Sequence, residues 1–356
     1  MIDLTETHDD ALRMIRDSAE AIVPAGDLRR VRALRFKLPG IDRGMWGRIA
    51  EMGWVGLRLP EDDGGAGLGM DAFSVLAEEL GRGLVPEPLL YAAFAARLVS
   101  GAARDELLAG DLLVLPAWQE RVNALKDDGG TVYRDGKLFG HKSFIPMAAA
   151  ADAFAVTVAG GCVLVRAKAP GVTLQTTPTQ DGGHFGALVL EGAEGEFMPL
   201  QSGVFDQALD EATLALAAYL LGMMDQTLAL TLDYMRTRKQ FGKAIGTFQA
   251  LQHKAVDLKV QVALTRASVR SAAAVIDAHA AVDARRAAVS RAKARAVEAV
   301  MLVTKQAIQL HGAIGYTDEA DISLYPRKAM VLGNLYGSAA AHRARFDAVA
   351  PETEQD

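Results

Sequence analysis

An α+β chain, with helical ends and an antiparallel β middle, is predicted by three observations. Ten of the 12 prolines lie at or before Pro199, and residues 200–325 contain none. Proline breaks helix interiors, so a proline-free stretch rich in Ala, Leu, Arg and Gln reads as several long helices. Within it, Leu214, Ala217, Leu221, Met224, Leu228 and Leu232 recur at three- and four-residue steps, as one buried helical stripe would. Leu251, Ala255, Leu258 and Val262 do the same, as do Val297, Val300, Thr304, Ala307 and Ile308. The middle third has short apolar runs separated by turn signals, the texture of strands.

Taken in order, residues 1–110 read as an N-terminal α-helical domain, broken by the glycine-rich run 64–69. Residues 111–200 read as a middle antiparallel β-domain. Its runs are Leu112–Leu115, Phe154–Val158, Cys162–Val165 and Ala187–Leu190. Its turns are Asp128-Gly129-Gly130, Asp135-Gly136, Gly160-Gly161 and Asp181-Gly182-Gly183. Residues 201–350 read as a C-terminal α-helical bundle, and the closing PETEQD as an acidic, frayed tail. Helix, sheet and helix in that order imply three packed units.

Composition narrows the function. Of 356 residues, 50% are hydrophobic and 23% charged, which excludes disorder for most of the chain. The 38 basic and 44 acidic residues leave a net charge of −6, against a nucleic-acid partner. A single cysteine, Cys162, permits no internal disulfide and points to a reducing compartment. The N-terminal MIDLTETHDD is acidic and lacks the basic and apolar regions of a signal peptide, so a cytoplasmic protein is expected. The apolar run Leu214–Met224 stops at Asp225, too short to span a bilayer. The seven histidines are scattered and Cys162 has no partner at ligand spacing, so no metal site is expected. GGAGLG does not have dinucleotide-loop spacing and follows an acidic turn, so it reads as a tight loop. No phosphate loop, HExxH or GxSxG is present. The basic residues Arg285, Arg286, Arg291, Lys293 and Arg295 read as a solvated helix face.

Two segments carry most of the functional signal. The first runs Tyr234-Met-Arg-Thr-Arg238-Lys-Gln240-Phe241-Gly242 to Phe248-Gln249, and the second is Gln309-Leu-His-Gly312-Ala313-Ile-Gly315-Tyr316. Arg238 offers a planar, permanently charged donor set suited to a diphosphate. Gln240 and Gln249 supply neutral donors and acceptors, Phe241 a ring face, and Gly312 and Gly315 close backbone approach. Taken singly, Arg238 reads equally as a surface helix cation, Phe241 as core, and the glycines as a helix C-cap and turn.

Together with Met52–Gly65 and Glu78-Glu79-Leu-Gly81, these segments resemble the acyl-CoA dehydrogenase family, with its R-x-x-F-G…F-Q and Q-x-x-G-G-x-G signatures. The resemblance implies a FAD-dependent oxidoreductase. It would desaturate an acyl-CoA thioester between Cα and Cβ, as in β-oxidation of fatty acids, and pass electrons to an electron-transferring flavoprotein. It implies that Arg238, Gln240, Phe241 and Gln249 of one subunit hold FAD together with Gln309, Gly312 and Ala313 of a neighbour. Ala313 stands where the family has a second glycine. Gln119 lies in the family's flavin-contacting A-L-T-E-P strand, here Ala117-Trp118-Gln119-Glu120. Phe144 begins the W-x-T counterpart, here Phe144-Ile145-Pro146, where Pro146 can donate no hydrogen bond.

The family removes the α-proton with a Glu made more basic by desolvation. At one usual place of that Glu this chain has Tyr336, in Leu335-Tyr336-Gly337-Ser338, and at the other Ala212. The neighbouring Glu211 is the candidate catalytic residue. It reaches the same place only if the helix start is irregular, because one residue turns a helix by about 100°. Asp210-Glu211 also reads as first-turn acids that favour the helix dipole. Three readings follow: a self-sufficient dehydrogenase; a partner subunit of a heteromeric one that lacks the base; and another flavoenzyme reaction on the same fold. A homo-oligomer or a heteromer with a second family chain is expected.

Overall fold

The computed structural model describes residues 4–350, with side chains from Asp10 onward, so the expected frayed tail lies outside the described residues. Six helices come first: α1 (Leu4–Ile22), α2 (Arg29–Leu34), α3 (Arg43–Glu51), α4 (Met70–Arg82), α5 (Leu89–Ala96) and α6 (Ala102–Ala109). The glycine-rich run is a tight loop that leads into α4 rather than a dinucleotide turn. Gly65 N–H donates to Pro60 O and Gly67 N–H to Leu59 O.

Strands follow: β1 (Val114–Ala117), β2 (Val132–Arg134), β3 (Lys137–Pro146), β4 (Ala153–Val158), β5 (Gly161–Arg166), β6 (Val172–Pro178), β7 (His184–Glu194) and β8 (Glu196–Pro199). One sheet has the order β1-β4-β5-β8 and the other β2-β3-β7-β6. The hairpin turns fall at the expected glycines, with Asp135 and Gly136 both at positive φ between β2 and β3. The expectation of a purely antiparallel middle is corrected, because β1 pairs with β4 in parallel, Val114 opposite Ala153. After β1 the chain leaves to build the second sheet and returns beside β1 running the same way, a crossover that no hairpin could make.

The C-terminal third holds α7 (Val204–Thr237), the short strands β9 (Lys239–Gln240) and β10 (Lys243–Ala244), α8 (Gln249–Asp277), α9 (Val282–His311), α10 (Leu324–Leu332) and α11 (Ala339–Val349). By length and composition α7 would pass for a bilayer-crossing helix, yet 83% of its apolar window is buried inside the protein. A helix that is apolar all round and covered by neighbours is a core helix. The stripes read from sequence face inward, with Leu214, Leu221, Leu258, Val262, Val300 and Ala307 all buried. α7 and α9 run parallel. Arg285 meets Asp210 at 2.9 Å near their N-termini, and the Tyr234 and His311 rings stack near their C-termini.

α7 is seated against α4 by two glycines. A Cβ on Gly222 would lie 1.8 Å from Glu78 O, and one on Gly81 would lie 2.0 Å from Tyr219 O. Backbone, not flexible side chain, occupies that space. Gly222→Ala should therefore destabilise the fold by at least about 2 kcal/mol. Calorimetric unfolding checks this; an unchanged melting temperature would show that the helices separate without cost.

Candidate functional site

The C-terminal ends of α7 and α9 carry the two motif segments. α7 stops at Thr237, and Arg238 leads into the β9–β10 hairpin, whose tip is Phe241 and Gly242, both at positive φ. Phe241 is 90% exposed and packs only edge-on against Phe248, its centroid 6.2 Å away. Gln240 is exposed on β9, and Gln249 is exposed at the start of α8. α9 ends at His311; Gln309, Gly312 and Ala313 are exposed around the turn that follows.

Within one chain, Tyr234 of the first segment stacks on His311 of the second, 4.4 Å between centroids and 21° between planes. The parallel run of α7 and α9 brings both C-termini to the same end. The donor set suits the ADP end of FAD. The Arg238 guanidinium has no ion-pair or hydrogen-bond partner among the described residues. Nothing lies within 4 Å of a Cβ placed on Gly312 or Gly242. A free planar cation, three amides, an open aromatic face and uncrowded glycine turns fit a diphosphate and an aromatic base.

The structure also brings Gln119 and Phe144 together. Ser143 N–H donates to Gln119 O at 2.6 Å, and the side chain of buried Gln119 donates to Arg121 O at 3.0 Å. Phe144 sits at positive φ where the β3–β7 register slips. Sequence reasoning missed Lys142, which is fully buried beneath them. Its ammonium lies 2.8 Å from Glu120 Oε1 and 3.2 Å from Asp127 Oδ1, and donates to Trp118 O. Burial alone would raise the Glu120 carboxyl, but hydrogen bonds from Lys142 and Thr131 outweigh it and hold it below its ordinary value. A signal existed: alternation along β3 places Lys142 on the same face as buried Leu138.

At the usual place of the catalytic Glu, Tyr336 is 2% exposed and wedged among rings. Its centroid lies 6.3 Å from Tyr91, 6.1 Å from Phe94 and 6.1 Å from Trp118. Phe205 closes the cluster behind Phe94 and Trp118. The Tyr336 hydroxyl has no hydrogen-bond partner among the described residues, and desolvation raises its pKa well above the ordinary value. A second cover comes from the loop after Gln119. Ser338 N–H donates to Asn123 Oδ1 at 3.1 Å, and a Cβ on Gly337 would meet Leu125 at 2.4 Å. The rings and this loop thus fill the space immediately around Tyr336 and Gly337. Ala212, at the alternative place, is 4% exposed and brings no carboxylate.

Asp210 and Glu211 are not first-turn acids, because α7 begins at Val204 and is regular through both. Both are buried. Asp210 pairs with Arg285 and Arg345. Glu211 lies 3.0 Å from Arg58 and 3.8 Å from Arg97, and also accepts from Gln207. Arg58 continues to Asp277 at 3.1 Å, and Asp277 accepts from Met70 N–H and Asp71 N–H, so one network ties α7, α8 and the start of α4. The solvated-face reading of the basic stretch on α9 also needs correction. Arg285 and Arg286 are ion-paired, and Lys293 is fully buried, donating to Gly333 O at 3.1 Å. Beside it, His342 contacts Ser290 Oγ and Tyr336 O. Lys293 and His342 thereby brace the turn that presents Tyr336.

Comparison with known proteins agrees with this architecture. The family model for the acyl-CoA dehydrogenase N-terminal domain matches residues 5–103, and that for the C-terminal domain matches residues 202–348. Acyl-CoA dehydrogenase IpdE2 of Mycolicibacterium smegmatis is 32% identical over 338 residues, 94% of this chain and 97% of that protein. Among solved structures, a Tcur3481–Tcur3483 steroid ACAD variant aligns with TM-score 0.85 and 30% identity, over 96% of this chain and 98% of that one. The ChsE4–ChsE5 complex of Mycobacterium tuberculosis contains a chain with TM-score 0.84 and 25% identity, over the same shares.

The Lys293–His342 brace predicts a pH dependence. Burial pushes the Lys293 ammonium down to about 7; burial and the Lys293 charge push the His342 imidazole down to about 3. The unfolded chain titrates them near 10.5 and 6.5. Between each pair of values it binds a proton that the folded chain refuses. Stability therefore falls as pH drops, by about 1.4 kcal/mol per pH unit while one group is inside its window. Lys293→Met should abolish the gain in melting temperature between about pH 7.5 and about pH 9.5, while the acid limb, set first by burial of His342, persists in reduced form. An alkaline slope equal to the parent's would remove Lys293 as its source.

Proposed function

This chain belongs to the acyl-CoA dehydrogenase family, and we propose that it works there as a partner-dependent subunit rather than as a complete catalyst. The family consists of oxidoreductases acting on CH–CH groups, and FAD is its cofactor. Held by this chain's residues, that cofactor would supply acceptance of the hydride from the β-carbon of an acyl thioester. The α-proton must then go to a carboxylate. The observation that carries the proposal is Tyr336 sealed among Tyr91, Phe94 and Trp118, with Ala212 at the alternative place. No carboxylate of this chain stands at either position. Glu211, the one candidate by register, is committed to Arg58 and Arg97, so we read it as an anchor of α7. A self-sufficient dehydrogenase needs that anion released.

The division of labour follows. Arg238, Gln240, Phe241, Gln249, Gln309, Gly312 and Ala313 would grip the ADP end of FAD. The ring and the acyl-CoA would lie on a second family chain that brings the Glu. Gln119 and Phe144 are then remnants of the ring-side wall in this chain. Exposed apolar residues support association: Val256, Val260 and Leu264 form an outward stripe on α8, and Met301 and Leu302 lie exposed on α9. The two family neighbours named from paired chains favour a heteromer, and the one named a steroid enzyme favours a steroid-derived acyl group. An electron-transferring flavoprotein as acceptor, a cytoplasmic location, and division of the chain near residues 110 and 200 belong to the same proposal. The matched family segments end at residue 103 and resume at 202.

Two outcomes are expected. Arg238→Ala should weaken FAD binding by roughly ten- to a hundredfold, the loss of a charge-assisted diphosphate contact, with Arg238→Lys restoring part of it. Flavin content at limiting FAD measures this, and equal content in variant and parent contradicts the grip. The chain purified alone should show no flavin bleaching with acyl-CoA and gain it with a second, Glu-bearing family chain. Glu211→Gln in that complex should change the bleaching rate by less than about threefold, against the roughly 10²–10⁴-fold expected for loss of a general base. Bleaching by the chain alone, lost in Glu211→Gln, would establish the self-sufficient enzyme instead.

A further inference from the structure

A cleft of about 660 Å³ opens between α1, α4 and α8, with Leu221 of α7 at its floor. It lies along the middle of α7 and the last turns of α8, away from the helix ends that carry the two motif segments. Leu12, Val75, Leu221, Val269 and Ala273 give it an apolar wall. Most of its polar groups already have partners. Glu78 is held by Arg266 at 2.6 and 2.7 Å, Asp277 by Arg58 and the start of α4, Arg16 by Glu79, and Arg13 by Asp10. Asp71 accepts from Ala72 N–H. One charged group is left over: the Arg270 guanidinium has no partner among the described residues.

We propose that this cleft binds an amphiphilic carboxylate, its anion on Arg270 and its apolar body along Val75, Leu221 and Val269. A lone guanidinium at the rim selects an anion, and a volume of this size suits a small ligand rather than a chain segment. The site shares no residue with the flavin grip.

Decanoate is the probe, titrated calorimetrically into the purified, FAD-loaded protein with its partner chain, with decylammonium as the cationic control. Saturable binding of decanoate and none of decylammonium is expected. Arg270→Glu, on the exposed rim, should weaken decanoate by at least about tenfold. Ala273→Phe, which fills the cleft, should abolish it. Absence of saturable decanoate binding, equal binding of decylammonium, or an affinity unchanged in Arg270→Glu each overturns the proposal. The last would place decanoate elsewhere on the protein.

Discussion

Two helix backbones touch where α4 crosses α7, and only glycine on each side allows it. Much of the interior follows from that distance. Pressed so close, α7 is covered on all sides from Ala208 to Met224, including its two acids. Buried carboxylates need cations, and the chain supplies them from other elements: Arg285 and Arg345 for Asp210, Arg58 and Arg97 for Glu211. Arg58 then reaches Asp277, which caps α4, and the contact closes on the helix where it began. Removing one member of such a ring leaves a charge stranded in low dielectric, so its members are held together more by necessity than by net attraction.

The same helix divides the functional surface. Its C-terminal end, beside that of α9, is open, polar and lightly covered, with a guanidinium unpaired among the described residues and an aromatic ring in solvent. Its N-terminal end is closed by rings and by a loop stapled through Lys142. One end is built to receive something and the other is already full. Both conditions come from the chain's own packing.

Much of this was legible in the sequence. The proline-free third gave α7, α8 and α9 because helix interiors exclude proline and three inward stripes have helical period. The glycine pairs marked hairpin turns because positive φ favours glycine. What the sequence concealed depends on distant partners. The parallel pairing of β1 with β4 needs a crossover that local pattern does not encode. The fate of Glu211 is decided by Arg58, far away on the N-terminal helical side. Tyr336 could be named as a vacancy for the base, but its sealing required Tyr91 and Phe94 of α5, Trp118 and Phe205 to converge from three separate segments. The meeting of Tyr234 with His311 followed from helix direction, which a one-dimensional pattern leaves open.

The hairpin tip raises a matter of supply. Phe241 stands almost entirely in solvent, with Ile314 and Tyr316 also exposed at the same end of the helices. Such side chains remain in water only until another surface arrives, and two copies of the wrong kind will meet through them as readily as two of the right kind. A cell making more of this chain than of whatever covers this end accumulates exposed apolar surface that favours association with the wrong copy. Supply of the covering surface in step with the chain is what such an end rewards.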